Sequence, residues 1–114
     1  MSQAARARGA YGERLAAKWY LDRGYELLDQ NWRVRDGELD LVVALPSTLV
    51  FVEVKARASM AFGSPAEAVG YRKAARIRRL AAQWITAHDR HSDDIRFDVV
   101  SIVGHAIEVL EGVL

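Results

Sequence analysis

Three ionisable residues stand where this chain otherwise places apolar ones. Asp40 interrupts the run Leu39-Asp40-Leu41-Val42-Val43, and Glu53 and Lys55 interrupt Phe51-Val52-Glu53-Val54-Lys55-Ala56. Side chains alternate across a strand, so residues two apart share a face. Regular strands would put Glu38 with Asp40, and Glu53 and Lys55 with Leu49 and Phe51. A buried charge without a partner is expensive, so a buried carboxylate has a counter-charge or a metal. There are two readings. One is a buried salt bridge, with Lys55 paired to Asp40 or Glu53. The other is a solvent-lined site in which the carboxylates hold a cation. The second has a definite chemistry: phosphodiester hydrolysis must neutralise charge growing on phosphate oxygens and must activate water, and a divalent ion does both. Magnesium prefers hard oxygen ligands and takes one or two carboxylates plus waters. Asp40 and Glu53 supply that pair if their strands are neighbours. The Lys55 ammonium could then orient water or stabilise the crowded phosphorus. Two such carboxylates repel each other, so at least one should hold its proton more tightly than usual in the metal-free protein.

The elements that must position these groups are legible in the pattern. Residues 2–23 read as a helix, with Leu15, Ala16, Trp19 and Tyr20 at helical spacing and Gly24 as its stop. Glu13 lies near the inward half of that helix, as a fourth candidate ligand or as an ordinary early-helix glutamate. Extended segments come next at 25–34, 38–45 and 49–56. Asp36-Gly37 marks the first turn and Pro46-Ser47 the second. The second and third strands are apolar enough to be covered on both faces. Ser64-Pro65-Ala66-Glu67 resembles a capping box, which places a helix start near Pro65, with Gly70 able to break it. Ile77, Leu80, Ala81, Trp84 and Ile85 form the stripe of that second helix. Strands at 95–103 and 106–110 complete the order α-β-β-β-α-β-β, an α/β fold with helices on both faces of one mixed sheet.

The totals set bounds. A chain of 114 residues, 51% hydrophobic and 27% charged, fits one domain over 1–114. No run approaches the ~20 apolar residues of a membrane span. The first eleven residues lack the apolar stretch of a secretory signal. The absence of cysteine excludes disulfides and thiolate metal sites and fits a cytoplasmic location. A net charge of +1 decides nothing about nucleic acid, but Arg72, Lys73, Arg76, Arg78 and Arg79 cluster without an intervening acid. That cluster is either a solvated helix face or a track for phosphates.

Asp40 followed by Glu53-Val54-Lys55 resembles the PD-(D/E)xK signature of restriction-endonuclease-like nucleases, with Leu39 where that signature has proline. The wider blocks resemble the bacterial YraN-like family over nearly the whole chain: Gly12-Glu13, Gly24-Tyr25, Asn31, Gly37-Glu38-Leu39-Asp40-Leu41, Phe51 to Arg57, Phe62-Gly63, and Arg96-Phe97-Asp98-Val99-Val100. The layout is similar to that of archaeal Holliday-junction resolvases, which also carry a helix glutamate ahead of the D…ExK group. The resemblance implies a restriction-endonuclease-like core and a Mg²⁺- or Mn²⁺-dependent nuclease. It implies Glu13, Asp40, Glu53 and Lys55 as the catalytic set, and Asp40, Glu53 and the Val54 carbonyl as metal ligands. The expected partner is nucleic acid, DNA above RNA, including branched or repair intermediates. The alternative is a nucleic-acid-binding protein with this fold and no turnover. Symmetric cleavage of a junction would require a homodimer.

Other residues carry weaker signals. Arg57 continues the Lys55 face and could reach a phosphate, as could Arg72, Lys73 and Arg76. Glu38 could support Asp40 or bond to the turn. Asp98, between Phe97 and Val99, needs a partner such as Arg96. Asn31 reads as a turn or bulge residue. Trp19 and Trp84 read as core, and Trp32 either packs or stacks on a base. His88 and His91 fall at a helix end and in a polar loop, where solvation outweighs metal binding.

Overall fold

The computed structural model describes residues 2–59 and 70–114. Its elements are α1 (Gln3–Asp22), β1 (Glu26–Val34), β2 (Gly37–Leu45), β3 (Thr48–Arg57), α2 (Tyr71–His88), β4 (Asp94–Val103) and β5 (Ala106–Leu110). This is the order read from the sequence. The helix start expected near Pro65, with the Phe62-Gly63 block, lies outside the described residues. The helix that carries the apolar stripe begins after Gly70, which is its N-cap. Ser2 caps α1 by accepting a hydrogen bond from the Ala5 N–H at 3.1 Å, and Gly24 comes just after its end at φ +86°. Among the described residues, no helix is long and apolar enough to cross a membrane.

The five strands form one sheet in the order β1-β2-β3-β4-β5, antiparallel except for the parallel β3–β4 pair. The connection from β3 to β4 therefore carries a helix, as a parallel crossover requires. α1 covers one face, where Ala16, Tyr20, Leu41, Val43, Val50, Val52, Val100 and Ile102 form a core. α2 covers the other, where Ile77, Leu80, Ala81 and Trp84 meet Leu39, Val42, Leu49 and Phe51. β2 and β3 are thus buried on both faces, as their composition predicts. The hairpin loop is Arg35 and Asp36, one residue earlier than the Asp36-Gly37 signal suggests. Gly37 instead opens β2 at φ +149°, a value that needs glycine.

Close local contacts tie the helices to the sheet. Gly12 lies flat against β3: a Cβ there would sit 2.8 Å from the Ala56 Cβ. Glycine is what lets α1 come this close. On the opposite face, Gln83 of α2 donates to Asp36 at the hairpin tip at 2.8 Å.

Asp98 has the structural role expected. It is fully buried on β4 and accepts from Arg96, from the Tyr20 hydroxyl at 2.7 Å and from the Gly112 N–H at 3.0 Å. Arg96 is the anticipated partner; Tyr20 is an addition. Trp84 is buried and donates to Asp29 at 2.9 Å, and Trp19 and Trp32 are half-buried in packing. The His88 Nδ1 pairs with the Trp84 carbonyl at 2.8 Å, and His91 is exposed.

Candidate active site

The sheet forks where the unusual charges lie. β2 and β3 pair from Leu45/Thr48 to Leu41/Val52, and there the ladder stops. Beyond that point Gly37, Glu38 and Leu39 remain paired with β1, while Glu53 to Arg57 remain paired with β4. The next residues on the two tines are Asp40 and Glu53. A side chain takes over from the missing ladder: the Val54 N–H donates to Asp40 Oδ2 at 2.8 Å. A backbone donor that loses its strand partner must find another acceptor, and Asp40 is that acceptor.

The alternation of β2 slips at the same place. Leu39 and Val42, three apart, both pack on the α2 side, whereas Leu41 packs on the α1 side. Asn31, which falls opposite Asp40 on β1, takes the left-handed conformation at φ +50°. Asparagine tolerates that conformation better than most residues. Glu38 and Asp40 still come together as expected, and Glu53 borders the same cavity on the Leu49 and Phe51 side, whereas Lys55, expected beside Glu53, borders the other cleft.

Three carboxylates from two elements meet at the mouth. Glu13 of α1 and Glu38 and Asp40 of β2 each present an oxygen within 4.8 Å of the others, and all three residues are half-buried. Close packing at Gly12 brings Glu13 there, beside Asn31. Glu38 also accepts from Arg33, its cross-strand neighbour, at 2.9 Å. Asp40 also feels the Glu53 charge, so it is common to the acidic trio and to the Asp40–Glu53 pair.

The electrostatics reflect this crowding. Burial and then the nearby Glu53 charge push the Asp40 carboxyl up to about 8; the Val54 N–H pulls the other way. Burial raises Glu13 as well, against the Asn31 hydrogen bond, with Glu38 adding to the rise. The upward shift expected of paired carboxylates thus falls on Asp40 and Glu13.

The site is open on both sides of the sheet. On the α2 side a cavity of about 260 Å³ is bordered by Glu38, Asp40, Glu53, Lys73 and Arg76. On the α1 side one of about 270 Å³ is bordered by Arg8, Glu13, Val54 and Lys55. Lys55 therefore borders the second cleft beside Glu13, while the cation on Glu53 is Lys73, at 2.6 Å. The salt bridge to Lys55 considered from the sequence is replaced by one to α2. Arg57 ends β3 and is half-buried, and Arg72 and Arg76 are exposed on α2. No sequence signal marks Lys73 as the Glu53 partner, nor Arg8 as a neighbour of the second cleft. Asn31, read from the sequence as a turn or bulge residue, is the left-handed residue inside β1.

The donor set suits a hard divalent cation. It offers carboxylate oxygens, with Asp40 common to the trio and the Glu53 pair, and the raised Asp40 and Glu13 carboxyls reflect burial first, with neighbouring carboxylates adding to it.

A mixed sheet between two helices, in this order and with Asp40 and Glu53-Val54-Lys55 at its fork, is the restriction-endonuclease-like core of the PD-(D/E)xK superfamily. The chain belongs to the UPF0102, or YraN-like, family within it: the model described as "Uncharacterised protein family UPF0102" matches residues 12–102. The chain is 56% identical over 95 residues to a UPF0102 protein of Beutenbergia cavernae, covering 83% of this chain and 80% of that one. It is 51% identical over 100 residues to one from Rhodococcus opacus, covering 87% and 85%. A more distant relative, from Alkaliphilus oremlandii, is 47% identical over 96 residues, covering 82% of each.

Proposed function

We propose that this chain is a Mg²⁺- or Mn²⁺-dependent phosphodiesterase acting on DNA. The observation that carries the reading is the fork itself. Breaking the β2–β3 ladder at Asp40 and Glu53 exposes a carboxylate cluster inside an otherwise apolar sheet, with openings bordered by cationic side chains.

In this reading Asp40 and Glu53 hold the ion, with the Val54 carbonyl as a further ligand. Glu13 supports the ion's waters or a second ion, and Glu38 adds charge beside Asp40. A divalent ion bound there supplies a polarised phosphate oxygen and an activated water. The Val54 N–H fixes the Asp40 carboxylate, so it is aimed before substrate arrives. Lys55 lies on the tine that carries Glu53, where its ammonium can steady the attacking water or the developing charge. Arg76 and Arg72 on one side, Arg8 on the other and Arg57 at the end of β3 receive flanking phosphates. Each phosphate neutralised steepens the log–log salt dependence of binding by about 0.9.

The test is a cleavage panel of single-stranded, duplex, flap and four-way DNA, with an RNA control, in Mg²⁺ and in Mn²⁺, beside Asp40→Ala. Metal-dependent cleavage abolished by Asp40→Ala supports the reading. Salt-sensitive binding without cleavage of any substrate supports the turnover-free alternative instead. Lys55→Ala should keep the fold and DNA binding and slow cleavage by at least about 100-fold.

A further inference from the structure

Lys73 stands in the third position of α2, and its ammonium lies 2.6 Å from the Glu53 carboxylate. Both side chains are largely withdrawn from solvent, at 29% and 13% exposure. A helix lysine thus reaches across the fork to a strand carboxylate. A divalent ion brought to the same carboxylate would be repelled by the ammonium at Oε1 and left with the remaining lone pairs, so the two positive charges compete for Glu53. The carboxylates it faces are Glu53, with Asp40 and Glu38 on the same cavity wall, and the further cation on that wall is Arg76.

We propose that Lys73 is a placeholder cation: it keeps Glu53 aimed into the fork while no ion is bound, and it gives up that carboxylate when a divalent ion arrives. The inference rests on the metal-binding reading given under the proposed function, and it assigns a positioning role to a residue whose sequence context suggests a solvated helix face or a phosphate contact. It has two consequences. Lys73 weakens metal binding, because its charge repels an ion brought to the same carboxylate. The released ammonium then stands at the cavity wall beside Arg76, so metal occupancy creates a free positive charge where a substrate phosphate would pass. Binding of ion and of substrate is thereby coupled in the favourable direction, and linkage requires that coupling to be reciprocal.

The experiment is Mn²⁺ titration by calorimetry of the whole chain, with no substrate and no activity readout. Lys73→Met should bind Mn²⁺ about tenfold more tightly than the parent chain. Lys73→Arg, which keeps the charge, should stay within about twofold of the parent. In a Glu53→Gln background the Lys73→Met change should have almost no effect, since the competition acts through that carboxylate. Thermal melts of each variant in chelator confirm that the compared proteins are folded. Unchanged or weaker Mn²⁺ binding in Lys73→Met, with the parent binding normally, overturns the placeholder role and leaves the metal site standing. Failure of the parent and of Lys73→Met alike to bind Mn²⁺ overturns the metal site, and the placeholder with it.

Discussion

Asp40 Oδ2 accepts the Val54 N–H across the fork at 2.8 Å, so one carboxylate both closes the end of a β-ladder and heads an acidic cluster. The two duties need different properties of the same side chain. Capping the ladder needs an oxygen in place; holding a cation needs its charge.

Asp40→Asn separates them. The amide oxygen can still accept from Val54, and the repulsion with Glu13 and Glu53 is relieved. The variant should unfold at the same temperature as the parent or higher in chelator, and should lose at least about tenfold in Mn²⁺ affinity. A lower melting temperature would show that the charge, not the oxygen, holds the fork.

The raised carboxyls set a pH dependence. Asp40 and Glu13 hold their protons more tightly folded than unfolded, so their contribution is fully present below the unfolded value, about 4, and is lost as pH rises through the folded one. For Asp40 that window runs from about 4 to about 8. Each group contributes a slope of at most about 1.4 kcal/mol per pH unit. Urea unfolding in chelator at pH 5 and pH 8 should show the parent losing more stability between the two than Asp40→Asn does. Equal losses would remove Asp40 from the effect. Saturating Mn²⁺ should reduce the parent's loss, because an ion bound only to the folded state adds stability.

Gly12→Ala tests the close approach of α1. Alanine is the better helix former by about 1 kcal/mol, but its Cβ would sit 2.8 Å from the Ala56 Cβ. Overpacking of that kind costs about 1–3 kcal/mol, so the net effect should be destabilising. Glu13 would be lifted from the trio at the same time. Adding Ala56→Gly should restore both stability and Mn²⁺ affinity, as a double-mutant cycle would read. A Gly12→Ala protein more stable than its parent would contradict the packing described.

Asp98→Ala should cost about 3 kcal/mol in chemical denaturation, because it leaves the Arg96 guanidinium and the buried Tyr20 hydroxyl short of their acceptor. It borders neither cavity at the fork, so Mn²⁺ affinity should be unchanged in the folded fraction. A loss under about 1 kcal/mol would mean that water replaces the carboxylate readily.

Most of the architecture is readable because each element carries its own periodicity. The Leu15, Ala16, Trp19 and Tyr20 stripe, the apolar β2 and β3, and the Ile77 to Ile85 stripe all obey local rules. The chemistry is readable for the opposite reason: Asp40 and Glu53 break those rules. The fork is not readable. It depends on where two strands stop pairing and on a kink at Asn31 opposite Asp40, and strand periodicity carries no mark of either. The Lys73–Glu53 contact is hidden likewise, since it joins a helix to a strand well before it in the chain, and no local pattern fixes how the two pack.

One helix reaches both halves of the split sheet. Lys73 holds the β3 side through Glu53, and Gln83 holds the β2 side through Asp36. Their positions on α2 lie about 15 Å apart along the helix axis. The gape of the jaws is therefore gauged by a rigid rod, and a single-residue insertion between those two anchors would alter the bite without touching any acidic residue.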